Sequence, residues 1–161
     1  FGCGSGNNIM LYLTYCKRIN CIDISTNALD KLRNFYKVPY QQGLINLINT
    51  NLEKDNLLFL EKGTSDLNNL YVDCTCFQHI KVDALNNILD KIKDNSNTKN
   101  NYLISKTLCY ESQNSSFRTN INVKNKILDL YSKYGNIEDK TYSIIEENFL
   151  KQEFLTITIN L

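Results

Sequence analysis

Phe1-Gly2-Cys3-Gly4-Ser5-Gly6-Asn7-Asn8-Ile9-Met10-Leu11-Tyr12-Leu13 is a glycine-rich turn that leads into an apolar helix. Glycine at alternate positions lets the backbone take positive φ and leaves no Cβ between main chain and ligand. The helix behind the turn offers unpaired N–H groups to a polar ligand. Further on comes Ile19-Asn20-Cys21-Ile22-Asp23-Ile24-Ser25, a short β-type run with a carboxylate at its end. Glycine turn, helix, strand and terminal acid make up half of a nucleotide-binding βαβ unit.

Outward from that stretch, helix and strand patterns alternate. The first helix is predicted over Asn7 to Lys17. Ser25 is a good N-cap for a helix from Thr26 to Tyr36, whose apolar residues Ala28, Leu29, Leu32, Phe35 and Tyr36 recur at helical spacing. Pro39 is expected to end it. Leu44 to Ile48 reads as a strand, and Lys54 to Lys62 as a short helix closed by Gly63. Leu70 to Cys74 reads as a strand, followed by a helix from Val82 to Lys93 with Leu85, Ile88, Leu89 and Ile92 on one face. The polar run from Lys93 to Asn101 is a loop. A strand from Tyr102 to Leu108 and a helix from Val123 to Tyr134, stopped by Gly135, come next. Lys140–Glu146 and Glu153–Ile159 close the chain, the latter alternating and β-branched as an antiparallel strand should be. Alternation at this spacing implies a parallel sheet wrapped by helices.

Composition narrows the function classes. The chain has 161 residues, one domain's worth, with 42% hydrophobic content ordinary for a packed core. A formal charge of +1 gives no global basic field for nucleic acid. No apolar run approaches the ~18–20 residues of a membrane span, and no signal peptide is evident. The six cysteines form no C-x-x-C pair and there is one histidine, His79, so no zinc site is expected. They read as reduced thiols packed in a cytoplasmic protein. The start at Phe1, without Met and inside the motif, reads as a chain cut just before its glycine turn.

The pattern resembles the class I, Rossmann-like S-adenosylmethionine-dependent methyltransferases. Their glycine motif is acid-x-Gly-x-Gly-x-Gly, and Gly2-Cys3-Gly4-Ser5-Gly6 matches its glycines. Asp23 matches the ribose-binding acid at the end of the family's second strand. Leu70 to Ile80 is similar to the fourth-strand segment, and the final hairpin after Gly135 to the family's closing strands. The resemblance implies an α/β three-layer sandwich with a mostly parallel sheet and a C-terminal antiparallel hairpin. It implies one methyltransferase-like domain over 1–161, with the first strand and its acid lying before Phe1. The cofactor would be S-adenosylmethionine, and the reaction an in-line displacement at a sulfonium methyl group. Aligning the two reactants and excluding water can be worth ~7–11 kcal/mol of such a barrier.

The same resemblance implies the site. Gly2, Cys3, Gly4 and Gly6 would line the cofactor, Asp23 would hold its ribose and Ile24 would flank the adenine. After the third strand the family often carries an adenine-contacting acid. Here stand Asn49, Thr50, Asn51 and Leu52; Asn51 takes that role through its side-chain carbonyl, or main-chain groups serve instead. Asp73 and Cys74 lie where the fourth strand reaches the ligand crevice. Asp73 would hold the methionine amino group or orient a substrate, or else be satisfied by local backbone N–H groups. His79 is a general base or a packed histidine at a helix start. His79 and Asp73 are thus catalytic candidates, with no catalytic residue assigned. Tyr110 and Glu111 are substrate contacts, and Phe117 and Arg118 of the 112–121 loop part of a substrate wall. DNA amino-methylation is disfavoured, because the Asn/Asp-Pro-Pro-Tyr of those enzymes is absent and Pro39 is the only proline. The acceptor is expected to be a small molecule or a protein side chain. A non-catalytic binding domain of the same fold is the alternative. A NAD or nucleotide-sugar enzyme is disfavoured, because Asn7 stands where Gly-x-Gly-x-x-Gly needs its last glycine.

Overall fold

Two strands that end side by side position the site. β1 (Ile19–Asp23) and β2 (Ile45–Asn49) run parallel, with Ile19 opposite Ile45 and Asp23 opposite Asn49. Ile19 donates its N–H to Leu44 and Asp23 accepts at its carbonyl from Thr50, so these residues turn their backbone toward β2. Ile22, turned the opposite way, accepts the Cys3 N–H at 3.0 Å. The glycine turn therefore lies along the edge of β1 away from β2. The computed structural model describes residues 1–60, 68–95, 101–111, 124–147 and 150–161. The chain divides into two compact units, Phe1–Asp55 and Asn56–Leu161.

In the first unit α1 covers only Ile9–Leu13, shorter than the predicted Asn7–Lys17. Asn8 provides no side-chain cap for the helix start, and the Thr14 hydroxyl lies 3.5 Å from the Met10 carbonyl. Only Ile9 of α1 is buried, while Met10, Leu11 and Tyr15 are exposed. α2 (Thr26–Phe35) forms as its sequence predicts, with the Ser25 hydroxyl accepting from Ala28 N–H. Leu29 and Leu32 are its buried residues. Pro39 does not terminate α2. It sits in the first turn of α3 (Lys37–Gln41), where its missing N–H would have had no helical partner. Ile9, Cys21, Leu32, Tyr36 and Ile45 form the core of this unit.

No α-helix forms over the described part of Lys54 to Lys62. Residues Leu58–Leu60 make one 3-10 turn, and Gly63 lies outside the described residues. The Asp55 carboxylate takes the Asn51 N–H and the Thr50 hydroxyl, so the preceding residues close as a turn instead.

The second unit has β3 (Leu70–Cys74), α4 (Val82–Asp94), β4 (Tyr102–Glu111), α5 (Lys124–Ser132), β5 (Asn136–Glu147) and β6 (Leu150–Asn160). Its sheet runs β3-β4-β6-β5, with β3 and β4 parallel and β6 antiparallel to both β4 and β5. The described strands thus form a two-stranded parallel sheet in one unit and a four-stranded mixed sheet in the other. The sequence leads to a mostly parallel sheet with a C-terminal antiparallel hairpin, and β5 with β6 makes that hairpin. The predicted stripe Leu85, Ile88, Leu89 and Ile92 of α4 is fully buried. Each such side chain contributes ~1.5–3 kcal/mol relative to exposure. Leu103, Leu155, Ile157 and Ile159 are buried from the strands. β4 and the closing strands outrun their predicted ends, because hairpin pairing carries hydrogen bonding past the apolar stretch, with a register shift between Leu108 and Tyr110.

Gly135, between α5 and β5, is a position of close approach. A Cβ there would run into the backbone carbonyl of Asn160. Gly135→Ala is expected to destabilise the protein by about 2 kcal/mol, read as a lower midpoint in urea unfolding. Gly135→Ser should do no better.

Candidate functional site

The glycine turn is built to bend sharply. Gly2, Gly4 and Gly6 take φ values of +58°, +53° and +88°. All three lie in the region that side-chain-bearing residues avoid. Gly6 N–H donates to the Cys3 carbonyl, and Ile9 N–H to that of Gly6. The Gly6 carbonyl also accepts the buried Tyr36 hydroxyl at 3.0 Å. A Cβ on Gly6 would lie 3.0 Å from Leu32 Cγ and Cδ1, so α2 packs directly on the turn. Around Gly4 nothing lies within 4 Å of the Cβ position. The turn is therefore close-packed at Gly6 and open at Gly4. Since α1 is so short, the turn's own main chain is what it offers a ligand.

Asp23 closes the arrangement. Its Oδ2 accepts the Gly4 N–H at 2.7 Å and its Oδ1 the Ser25 N–H at 2.8 Å. One carboxylate thus joins the glycine turn to the cap of α2, at the helix end where a negative charge is favoured. A carboxylate has about four lone-pair sites, and these bonds use one on each oxygen. It remains half-buried, and acceptor capacity is left on both oxygens. Beside it, Ile24 is 65% exposed, an apolar side chain held at the strand end.

Two thiols line the turn from within. Cys21 is buried in the core and Cys3 packs against that cluster. Their hydrogen bond, together with burial, pushes the Cys3 thiol up, while the same bond draws the Cys21 thiol down. The Cys3 backbone, with its N–H on Ile22, shapes the turn.

After β2 the chain takes its own turn. Asn51 Oδ1 accepts the Glu53 N–H at 3.0 Å. Its oxygen, expected on an adenine, thus has a local partner. Asp55, which accepts from Asn51 N–H at 2.6 Å and from the Thr50 hydroxyl, is held below the usual carboxylate range by those bonds. Asn49 was among the candidates for the adenine acid's place. Its amide turns to the backbone instead, donating to the carbonyls of Asp23 and Ile24.

In the second unit Asp73 is 1% exposed. Its Oδ1 accepts from the Cys76 and Phe77 N–H groups, both at 2.9 Å, and its Oδ2 from the Ser105 hydroxyl at 2.7 Å. Ser105 Oγ lies 2.9 Å from the Tyr131 hydroxyl, which ties β4 to α5. Holding a ligand's amino group needs an exposed carboxylate oxygen, and Asp73 is closed off inside its own unit. The local-backbone alternative describes it better. Burial pushes its carboxyl up against the pull of these donors, and burial with the nearby Asp73 charge pushes the Tyr131 phenol up. The bonds to Asp73 hold a turn in which Thr75 takes φ +64°, a strained value for a β-branched residue. Cys74 is exposed at the end of β3. His79 is exposed at the end of the 3-10 turn Phe77–His79, its Nε2 at 3.2 Å from Gln78 Nε2. Tyr110 and Glu111 belong to β4, paired with Glu153 and Gln152, rather than to a loop. Phe117 and Arg118 lie outside the described residues.

Among the described residues no cluster of three or more His, Cys, Asp and Glu could hold a metal ion. None of the described helices is long and apolar enough to cross a membrane. The structure brings Gly2, Cys3, Gly4, Gly6, Asp23 and Ile24 together in one unit, with Asn51 in the same unit. Asp73, Cys74, His79, Tyr110 and Glu111 belong to the other unit.

No protein-family description and no curated protein matches the chain. Solved structures do. TehB from Haemophilus influenzae is similar with a TM-score of 0.69 at 14% identity, over 99% of this chain and 55% of TehB. The chain thus spans little more than half of that protein. NodS, an N-methyltransferase from Bradyrhizobium japonicum solved with S-adenosyl-L-homocysteine, gives 0.69 at 12% identity, over 98% of this chain and 74% of NodS. The [4+2]-cyclase SpnF gives 0.72 at 9% identity, over 99% and 72%. At these identities the likeness is one of fold: the chain is α/β and Rossmann-like, of the type these proteins share.

The Asp73 network sets a pH dependence. An unfolded Asp titrates near ~3.9, and burial raises the folded value above it. The resulting stability is therefore fully present below the unfolded value and is lost as pH rises through the folded one. Urea unfolding of wild type against Asp73→Asn across this window should show the wild type losing stability with pH while the variant's curve stays flatter. A wild type that gained stability over the same range relative to the variant would contradict it.

Proposed function

We propose that this chain binds S-adenosylmethionine at the glycine turn and Asp23, and that it is a methyltransferase domain. The observation that carries the reading is the 2.7 Å bond from Gly4 N–H to the Asp23 carboxylate. It joins the glycine-rich main chain, the end of β1 and an acid with spare acceptor sites. The residues suit the cofactor on physical grounds. Gly4 leaves open space where any other residue would project a Cβ, and the Asp23 carboxylate can accept both hydroxyls of a ribose. Ile24 offers an exposed apolar surface for a flat ring. When bound, the cofactor supplies an electrophilic methyl group already activated by the sulfonium charge. The chain's own work would be to bind, orient and exclude water.

The neighbours support the same reading at the level of fold, NodS having been solved with the demethylated cofactor. On this reading residues 1–161 make one methyltransferase-like domain with a three-layer, sandwich-like arrangement. The acceptor is a small molecule or a protein side chain, reached from a cytoplasmic location. Asp73-Cys74-Thr75-Cys76, at the end of β3, lacks the prolines of the DNA amino-methylating enzymes. A second reading draws on SpnF, a cyclase with this fold: the domain binds its ligand without transferring a methyl group.

Calorimetry with S-adenosylhomocysteine tests the first step. Saturable binding is expected, and ligand at a hundred times its Kd should stabilise the fold by about 2.7 kcal/mol. Asp23→Ala should weaken binding by at least about tenfold while the protein stays folded. Failure to bind the cofactor, or preferential binding of NAD, would overturn the reading. Methyl release from labelled cofactor on an acceptor panel then separates transfer from binding alone.

A further inference from the structure

The geometry points to Asn49 as the positioning residue that aims the Asp23 carboxylate, and hence as the side chain that gives the site its preference for ribose over 2′-deoxyribose. This rests on the cofactor reading of Asp23 above. Asp23 and Asn49 are the last residues of β1 and β2 and stand opposite each other in the parallel register. Beyond them the strand pairing stops, and the Asp23–Ile24–Ser25 segment must carry the ligand-facing groups without further ladder bonds.

Asn49 replaces those bonds. Its Nδ2 donates to the Asp23 carbonyl at 3.1 Å and to the Ile24 carbonyl at 2.9 Å, so both amide hydrogens are used on consecutive peptide units. Thr50 N–H adds a second donor to the Asp23 carbonyl at 3.1 Å. The backbone on either side of the Asp23 side chain is thereby fixed to β2. The carboxylate itself is fixed by Gly4 and Ser25. Main chain and side chain of Asp23 are therefore held by separate sets of donors. The set on the main chain fixes where the Asp23 side chain leaves the strand, and with it where the carboxylate held by Gly4 and Ser25 presents its two remaining acceptor sites.

The residue type follows from the chemistry. Two adjacent carbonyls require two donated protons from one atom, which an amide nitrogen supplies. An Asp at 49 would set acceptors against acceptors and a charge beside Asp23. A hydroxyl has one proton for two carbonyls. The Asn49 side chain is exposed, so its removal leaves no core cavity, and loss of aim is the main consequence.

A ratio of affinities distinguishes aim from stability. Calorimetric Kd values are measured for S-adenosylhomocysteine and its 2′-deoxy analogue on wild type and Asn49→Ala, with thermal unfolding as the folding control. Wild type should prefer the ribose ligand by about tenfold or more, the value of one charge-assisted hydrogen bond. Asn49→Ala should bring that ratio toward one. A merely structural asparagine would weaken both ligands alike and leave the ratio unchanged, which would overturn the proposal. Should Asn49→Ala fail to fold, Asn49→Ser takes its place and the same ratio decides. A wild type that binds neither ligand overturns the cofactor reading itself. A wild type that binds both without preference overturns only the ribose role given to Asp23 and Asn49.

Discussion

The hydrogen bond from Gly4 N–H to the Asp23 carboxylate is the constraint on which the first unit depends. It spans nineteen positions of sequence and joins a turn, at a residue with no side chain, to a strand end that has a charged one. A hydrogen bond to a charged group contributes ~1.5–3 kcal/mol when well formed. Its greater consequence is geometric. With Cys3 on Ile22, Gly4 on Asp23 and Gly6 under Tyr36 and Leu32, the turn is fixed to β1 on one side and α2 on the other. Positive φ at three glycines is what lets one short loop make all of these contacts.

The second unit solves a similar problem with a different outcome. Asp73 also ends its strand region with a carboxylate that accepts backbone N–H groups, yet it faces inward and spends its remaining oxygen on Ser105. Asp23 is half-buried and Asp73 is closed off. The same residue type at comparable strand ends therefore serves a ligand-facing role in one proposal and a structural one in the other. Exposure, not sequence position, separates them. The bonds to Asp73 also sustain the Thr75 backbone, which local preference alone would not choose.

Much of this was legible in the chain itself. Ser25 announced the start of α2, the apolar stripe of α4 announced its buried face, and the β-branched run from Phe154 to Ile159 announced β6. These elements are set by local chemistry. The misses share a cause, which is tertiary or side-chain competition invisible to periodicity. α1 has no side-chain cap at Asn8 and spans only Ile9–Leu13, and Asp55 folding onto Asn51 replaced a predicted helix with a turn. Pro39 read as a stop because its position within a new first turn could not be known. Asp73 reads in sequence as either ligand-facing or locally satisfied, because its inward placement depends on Ser105, thirty-two positions away. Asn49 carried one usable signal, an amide at the last position of a strand opposite an acid-ending strand, and it becomes informative only once the register is known.

The most direct test is an amide NMR titration of the isotopically labelled protein with S-adenosylhomocysteine. The account predicts saturable shifts concentrated at Gly2, Gly4, Gly6, Asp23, Ile24 and Ser25. The Gly4 amide, already hydrogen-bonded to Asp23, should be among the most perturbed. Saturable binding that leaves these amides unmoved and shifts others instead would contradict it.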